Sequence, residues 1–276
     1  MINILKMDLY RLFRSRTFWT FLGVTVVLAI ANTFFTKVNL DIIAENDSMM
    51  ALQEDTVNIN IGVHAGFKQE WLSSDIYASD FFASSIGTRI ILLICSICIP
   101  AFVYAEVKSG FVKNIAGQLS NKGILVASKI FVSGLWLLLI MALFSITSLV
   151  SGEIIWGDRF VIGGILSIVG IFSLQYLLHF MFAIVICTMS VNGTRDSYIF
   201  GMACALGGMA SIYTVINKLI DYVTGNNIDV SKYMIDTNII RITSDMSGTD
   251  LLRVILSAVV VGALFAITSI RRKREI

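Results

Sequence analysis

Six apolar runs of roughly 20 residues, set between polar segments of alternating charge, constrain this chain more than any other feature. A bilayer core needs about 20 consecutive apolar residues to be crossed by a helix. In lipid every backbone N–H and C=O must be paired within the protein, which leaves helices as the spanning element for runs of this length. The runs are 17–36, 81–104, 130–151, 160–189, 198–217 and 251–270. Composition agrees: 56% of the 276 residues are hydrophobic and 14% are charged, against about 25% charged in soluble domains. The expected fold class is all-α, a polytopic membrane protein with six transmembrane helices in one domain over 1–276.

Charge sets the orientation, because short segments rich in Lys and Arg stay in the cytoplasm. Residues 105–129 carry Lys108, Lys113, Lys122 and Lys129 against one acid, Glu106. That segment is read as a cytoplasmic loop between spans two and three. Residues 37–80 invert the balance, with Asp41, Glu45, Asp47, Glu54, Asp55, Glu70, Asp75 and Asp80 against Lys37 and Lys68, and are read as exterior. So are 218–250, which hold Asp221, Asp229, Asp236, Asp245 and Asp250, and the short turn 152–159. The turn 190–197 (SVNGTRDS) falls inside, and the chain ends on Arg271, Arg272, Lys273 and Arg274. Both termini are therefore expected in the cytoplasm of a cell membrane. A net charge of +2 is too small to argue for a nucleic-acid partner.

Ile2, Leu5, Leu9 and Leu12 recur at spacings of three and four, with Lys6, Arg11, Arg14 and Arg16 on the remainder of the implied helix. Residues 1–16 are read as an interfacial helix, its leucines toward the acyl chains and its cations among lipid headgroups. The apolar core of 17–36 is longer than the 7–15 residues of a signal-peptide core, so it is read as an uncleaved anchor. Val57, Ile59, Ile61 and Val63 alternate with polar residues and suggest an extended piece. Phe67, Trp71 and Leu72 suggest an interfacial anchor before span two, and Ser247 or Thr249 a cap for the last helix.

Within the spans, Arg89 stands out, since a charge in hydrocarbon is costly. It reads either as an outer-leaflet anchor that snorkels or as a cation facing a translocation path. Pro100 should kink the second span near its cytoplasmic end. His179 is read as hydrogen-bonded to a neighbouring helix, and His64 as an ordinary loop histidine. Gly201, Ala205 and Gly208, with Ala203, Gly207 and Ser211 alongside, make a small-residue stripe on which another helix can pack closely. Cys95, Cys98, Cys187 and Cys204 sit in apolar runs, where a thiol is a small hydrophobe.

The cytoplasmic loop carries the most specific pattern. Glu106, Gly110, Lys113 and Asn114 fall near one face of a short helix, and Ser120, Ile124 and Lys129 follow. In these residues the chain resembles the permease subunits of type-2 ABC exporters, where such a run links the second and third membrane helices. It departs from many relatives in having Asn121, followed by Lys122, where they carry Arg. The resemblance implies a cytoplasmic coupling helix, with Glu106, Lys108, Gly110, Lys113 and Asn114 contacting a separate ATPase subunit. It further implies a second permease subunit, identical or related, a path lined partly by spans two and five, and, from the relatives that carry this pattern, a bacterial exporter of hydrophobic or amphipathic compounds such as peptides.

The chain has no Gly-x-x-x-x-Gly-Lys-Ser/Thr, so no ATP site is expected in it, and no His-Glu-x-x-His. No span holds a carboxylate of the kind that drives ion-coupled carriers. The chain is thus read as no enzyme itself, binding no cofactor or metal, with membrane lipid and an ATPase as partners. The alternative is a membrane protein that sequesters a toxic peptide without ATP and confers immunity.

Overall fold

The computed structural model describes residues 2–45, 69–108, 123–192, 194–225, 229–242 and 248–275. Ten α-helices account for nearly all of them: α1 (Ile2–Arg14), α2 (Arg16–Glu45), α3 (Ala78–Ile86), α4 (Ile90–Lys108), α5 (Gly123–Trp156), α6 (Ile165–Asn192), α7 (Thr194–Ala205), α8 (Met209–Thr224), α9 (Ile235–Arg241) and α10 (Gly248–Glu275). The fold is all-α apart from one short parallel pairing, β1 (Ile76–Tyr77) with β2 (Phe160–Val161). The extended piece expected at 57–63, His64 and Ser247 lie outside the described residues. Thr249 falls inside the first turn of α10.

Helices α2, α5, α6 and α10 are each long and apolar enough to cross a membrane. Two further pairs qualify together but are broken: α3 with α4, bent by 42°, and α7 with α8, bent by 82°. Among the described residues there are therefore four to six candidate membrane spans, six if each bent pair crosses once. Leu166, Ile154 and Val223 lie more than three-quarters exposed, an arrangement that suits lipid and would be costly in water.

Both breaks have local causes. In the first, Thr88 turns its backbone N–H and its hydroxyl onto Ser85 O, which closes α3, and Arg89 O accepts from Leu93 N at 2.9 Å to start α4. Helix α4 continues through Pro100, and the 42° bend between α3 and α4 falls at 87–89. In the second, Gly207 has φ +78°, in the left-handed region open to glycine, and the chain turns there between α7 and α8.

A single core runs through the bundle around Trp136, Phe18, Phe144, Phe82 and Phe182. Phe18, Phe21 and Phe102 each bring a ring within 5.9–6.3 Å of Trp136, which ties α2, α4 and α5 together. A smaller cluster of Trp71, Phe81, Phe160 and Leu40 closes one end. Trp71, expected as an interfacial anchor, is buried in this cluster, and Arg159 Nη2 donates to its carbonyl at 2.8 Å.

Helix α5 is the largest departure from the expected boundaries. Its 34 residues take in Gly123–Lys129, assigned by charge to a polar loop, and extend past residue 151. The reason is Asp8. Lys129 Nζ pairs with Asp8 Oδ1 at 3.0 Å and lies 5.3 Å from the Phe102 ring centre, while Ser128 Oγ donates to Asp8 Oδ2 at 2.6 Å. Asp8 and Lys129 are both buried, so Lys129 is a core residue and not part of an exposed basic loop. This ion pair docks α1 onto α5. The apolar side of α1 follows the same direction, with Leu12 buried and Leu5 and Leu9 packed on the core.

The small-residue stripe divides. A Cβ on Gly201 would lie 2.7 Å from Ser96 Cβ, so α7 approaches α4 there as closely as glycine permits. Ala205 is buried at the end of α7. Gly208 stands in the break, where an added Cβ would make ordinary contact with its own chain at Ala203. Gly201→Leu is therefore expected to prevent stable folding, whereas Gly208→Ala should keep the wild-type melting temperature in detergent. Equal melting temperatures for both variants would contradict this packing.

Candidate functional site: a buried polar cluster at the helix breaks

Residues 218–250 are not a simple exterior loop. Helix α8 continues through Lys218 to Thr224, and α9 turns back against the bundle with Ile235, Ile239 and Ile242 buried. Those isoleucines, spaced by four and three, give the segment an apolar face, and burying that face carries Asp236 and Asn238 inside with it. Asp229 organises the approach to α9: its carboxylate accepts from Ser231 Oγ at 2.6 Å and from Asn217 Nδ2 at 3.1 Å. The Ser231 hydroxyl first, then Asn217, holds the Asp229 carboxyl below the usual carboxylate range.

Helix α9 meets both broken spans and α6. Asp236 Oδ1 accepts from the Tyr213 hydroxyl of α8 at 2.8 Å. Ile239 O accepts from Gln175 Nε2 of α6 at 2.8 Å, and a Cβ on Gly87 would lie 3.4 Å from the same carbonyl. Close by on α6, the His179 ring donates from Nδ1 to Gln175 O at 2.8 Å. The histidine expected to bond to a neighbouring helix thus bonds to its own, one turn back.

Arg89 sits at the first break and is only 6% exposed, so it does not extend to the surface as an anchor. Its Nε and Nη1 have no hydrogen-bond partner among the described residues. Its charge is felt at Asp236: burial pushes that carboxyl above the usual range, and the Tyr213 hydroxyl and then the Arg89 guanidinium pull it back. Asp236 Oδ2, Asn238 Oδ1, Gln175 Oε1 and His179 Nε2 are also buried without hydrogen-bond partners among the described residues. Unsatisfied buried polar atoms cost about 1–3 kcal/mol each, more when charged. Each such group calls for an explanation, and a polar or ionic guest would satisfy several of them at once.

Among the described residues no group of three or more His, Cys, Asp or Glu side chains is placed to hold a metal. The four cysteines are buried and none is in a disulfide among the described residues. Of the loop residues singled out by sequence, Glu106 and Lys108 belong to the last turn of α4, while Gly110, Lys113, Asn114 and Ser120 lie outside the described residues. Ile124 and Lys129 are in α5.

The cluster gives Arg89 a testable signature. Arg89→Met removes a buried cation whose Nε and Nη1 have no hydrogen-bond partner among the described residues, so the variant should melt close to the wild-type temperature while losing transport or ligand binding. A clear loss of stability with function retained would make Arg89 a structural residue.

The fold is an all-α bundle with several helices long and apolar enough to cross a membrane, and it buries ionisable groups in its core. No protein-family model matches the chain, and a search of curated proteins finds no match.

Proposed function

We propose that the chain is the membrane-spanning permease subunit of an ATP-driven exporter, with six spans and both termini in the cytoplasm of a bacterial cell membrane. The observation that carries this reading is the segment between the second and third apolar runs, with its net positive charge and its Glu106, Gly110, Lys113, Asn114 pattern. A membrane protein without a nucleotide motif needs such a segment to receive work from a subunit that has one. Supporting it, α4 continues as helix past the apolar run to Lys108, which extends the lever arm of span two beyond the bilayer. Helices α2 and α10 leave most of their apolar surface uncovered, which leaves room for lipid and a second permease subunit. The buried cation at Arg89 would meet the polar part of an amphipathic substrate, and the surrounding spans its apolar part.

The test is a pull-down of the chain from its native membrane in mild detergent. A cytoplasmic ATPase subunit recovered with it in stoichiometric amount is the expected result. Its reproducible absence, with resistance to a toxic peptide retained in cells that lack any such ATPase, would favour the sequestering protein instead.

A further inference from the structure

At the elbow between α1 and α2 the surface opens into a pocket of about 170 Å³. Arg11, Ser15 and Thr17 line one side, and Ala101, Phe102 and Trp136 the other. Sites that enclose a whole drug-sized ligand run to roughly 300–1,000 Å³, so this one suits a headgroup or small anion and not an entire substrate.

The lining has the chemistry of an anion site. Ser15 Oγ already accepts from Phe18 N at 3.3 Å, as the cap of α2. The first backbone N–H groups of α2, at Arg16 and Thr17, have no carbonyl within the helix to bond to, as at any helix start. They lie at the positive end of a 30-residue helix. Independently, the Trp136 indole is 1% exposed, and its Nε1–H has no hydrogen-bond partner among the described residues. A buried donor beside a polar pocket, left unpaired by the protein, asks for an acceptor from outside. Arg14 and Arg16 flank the elbow, and the one acid in α1, Asp8, is paired with Lys129; on α4, Ala105 also lines the pocket, with Glu106 next to it in the chain. The elbow also marks the end of an apolar span, the level at which lipid phosphates lie.

We propose that this pocket binds a phosphate-bearing anion: the Arg11 guanidinium, the Thr17 hydroxyl and the Trp136 N–H hold the phosphate, and Phe102 packs on its ester arm. The site is separate from the Arg89 cluster and independent of whether an ATPase drives the protein. Occupancy would fix α1 against α4 and α5 and so couple the posture of the N-terminal helix to the membrane's anionic content.

Native mass spectrometry of the full chain tests it, after delipidation and titration with phosphatidylglycerol, phosphatidylcholine or inorganic phosphate. Wild type should hold one phosphatidylglycerol at least tenfold more tightly than phosphatidylcholine. Arg11→Gln should lose that preference. Ala101→Leu, which fills the pocket and leaves the charges in place, should lose at least tenfold in phosphatidylglycerol binding with an unchanged melting temperature. Trp136→Phe, which keeps the ring and removes the donor, should weaken it about threefold. Inorganic phosphate that binds wild type and displaces the lipid, but does not bind Arg11→Gln, would assign the same site to free phosphate. Equal binding of both lipids by wild type, or lipid and phosphate binding untouched in both Arg11→Gln and Ala101→Leu, would overturn the proposal.

Discussion

Lys129→Met alone should destabilise the protein by about 3–5 kcal/mol, because it leaves the Asp8 carboxylate buried without its counter-charge. The Ser128 hydroxyl remains, but one hydrogen bond does not replace a cation. The converse change, Asp8→Leu, should also destabilise, because it removes the carboxylate that pairs with the buried Lys129. Made together, Asp8→Leu and Lys129→Met replace the pair with apolar groups, and a buried pair exchanged in this way is often neutral or stabilising. The double variant should therefore recover most of the loss, with a coupling far above the few tenths of a kcal/mol seen for independent sites. Denaturant titration in detergent reads all four members of the cycle. Additive losses would mean that α1 is held to α5 by its leucines and not by this pair.

The same pair shows what the sequence could and could not reveal. Long uncharged runs are legible one residue at a time, and the helices α2, α5, α6 and α10 lie where those runs are. Whether a charged residue is buried depends on a partner that is distant in sequence. Asp8 meets Lys129 and Ser128 about 120 positions on. With its partner unseen, Lys129 reads as one more basic loop residue, and Asp8 gives no signal at all. Asp236 fails for a related reason: it sits in an acid-leaning stretch, and its burial follows from the isoleucine face of α9, a helix of only seven residues. That spacing was there to be read, but a short amphipathic helix between two spans is easily taken for a loop. The breaks are legible in part. Gly207 marks the second, whereas Pro100 draws attention away from the first, where serine and threonine carbonyl and hydroxyl bonds end the helix.

Arg89 was legible as an anomaly and not as a site. A cation in an apolar run is visible from sequence, but the two readings open to it differ only in where the side chain lies. The fold buries it at the first break, in a bundle whose helices α6, α8 and α9 also bury Gln175, His179, Tyr213 and Asp236.

The largest functional effects should come from reversing charge at Glu106, in the last turn of α4, and at Lys113, further along the chain. If Glu106 and Lys113 meet an ATPase surface, each charge-assisted contact is worth about 1.5–3 kcal/mol, and every 1.4 kcal/mol is about tenfold in association. Reversal replaces attraction by repulsion and should exceed simple loss, while Gly110→Leu should act through bulk alone. Surface expression and melting temperature are measured alongside and should stay at wild-type values. The deciding measurement is substrate-stimulated ATP hydrolysis by the complex purified through this chain, for wild type and for Glu106→Lys, Gly110→Leu and Lys113→Glu. An exporter permease predicts stimulated hydrolysis in wild type and a drop of tenfold or more in the two charge reversals. Wild-type hydrolysis in all three variants, or no hydrolysis recovered with the wild-type chain, would contradict it.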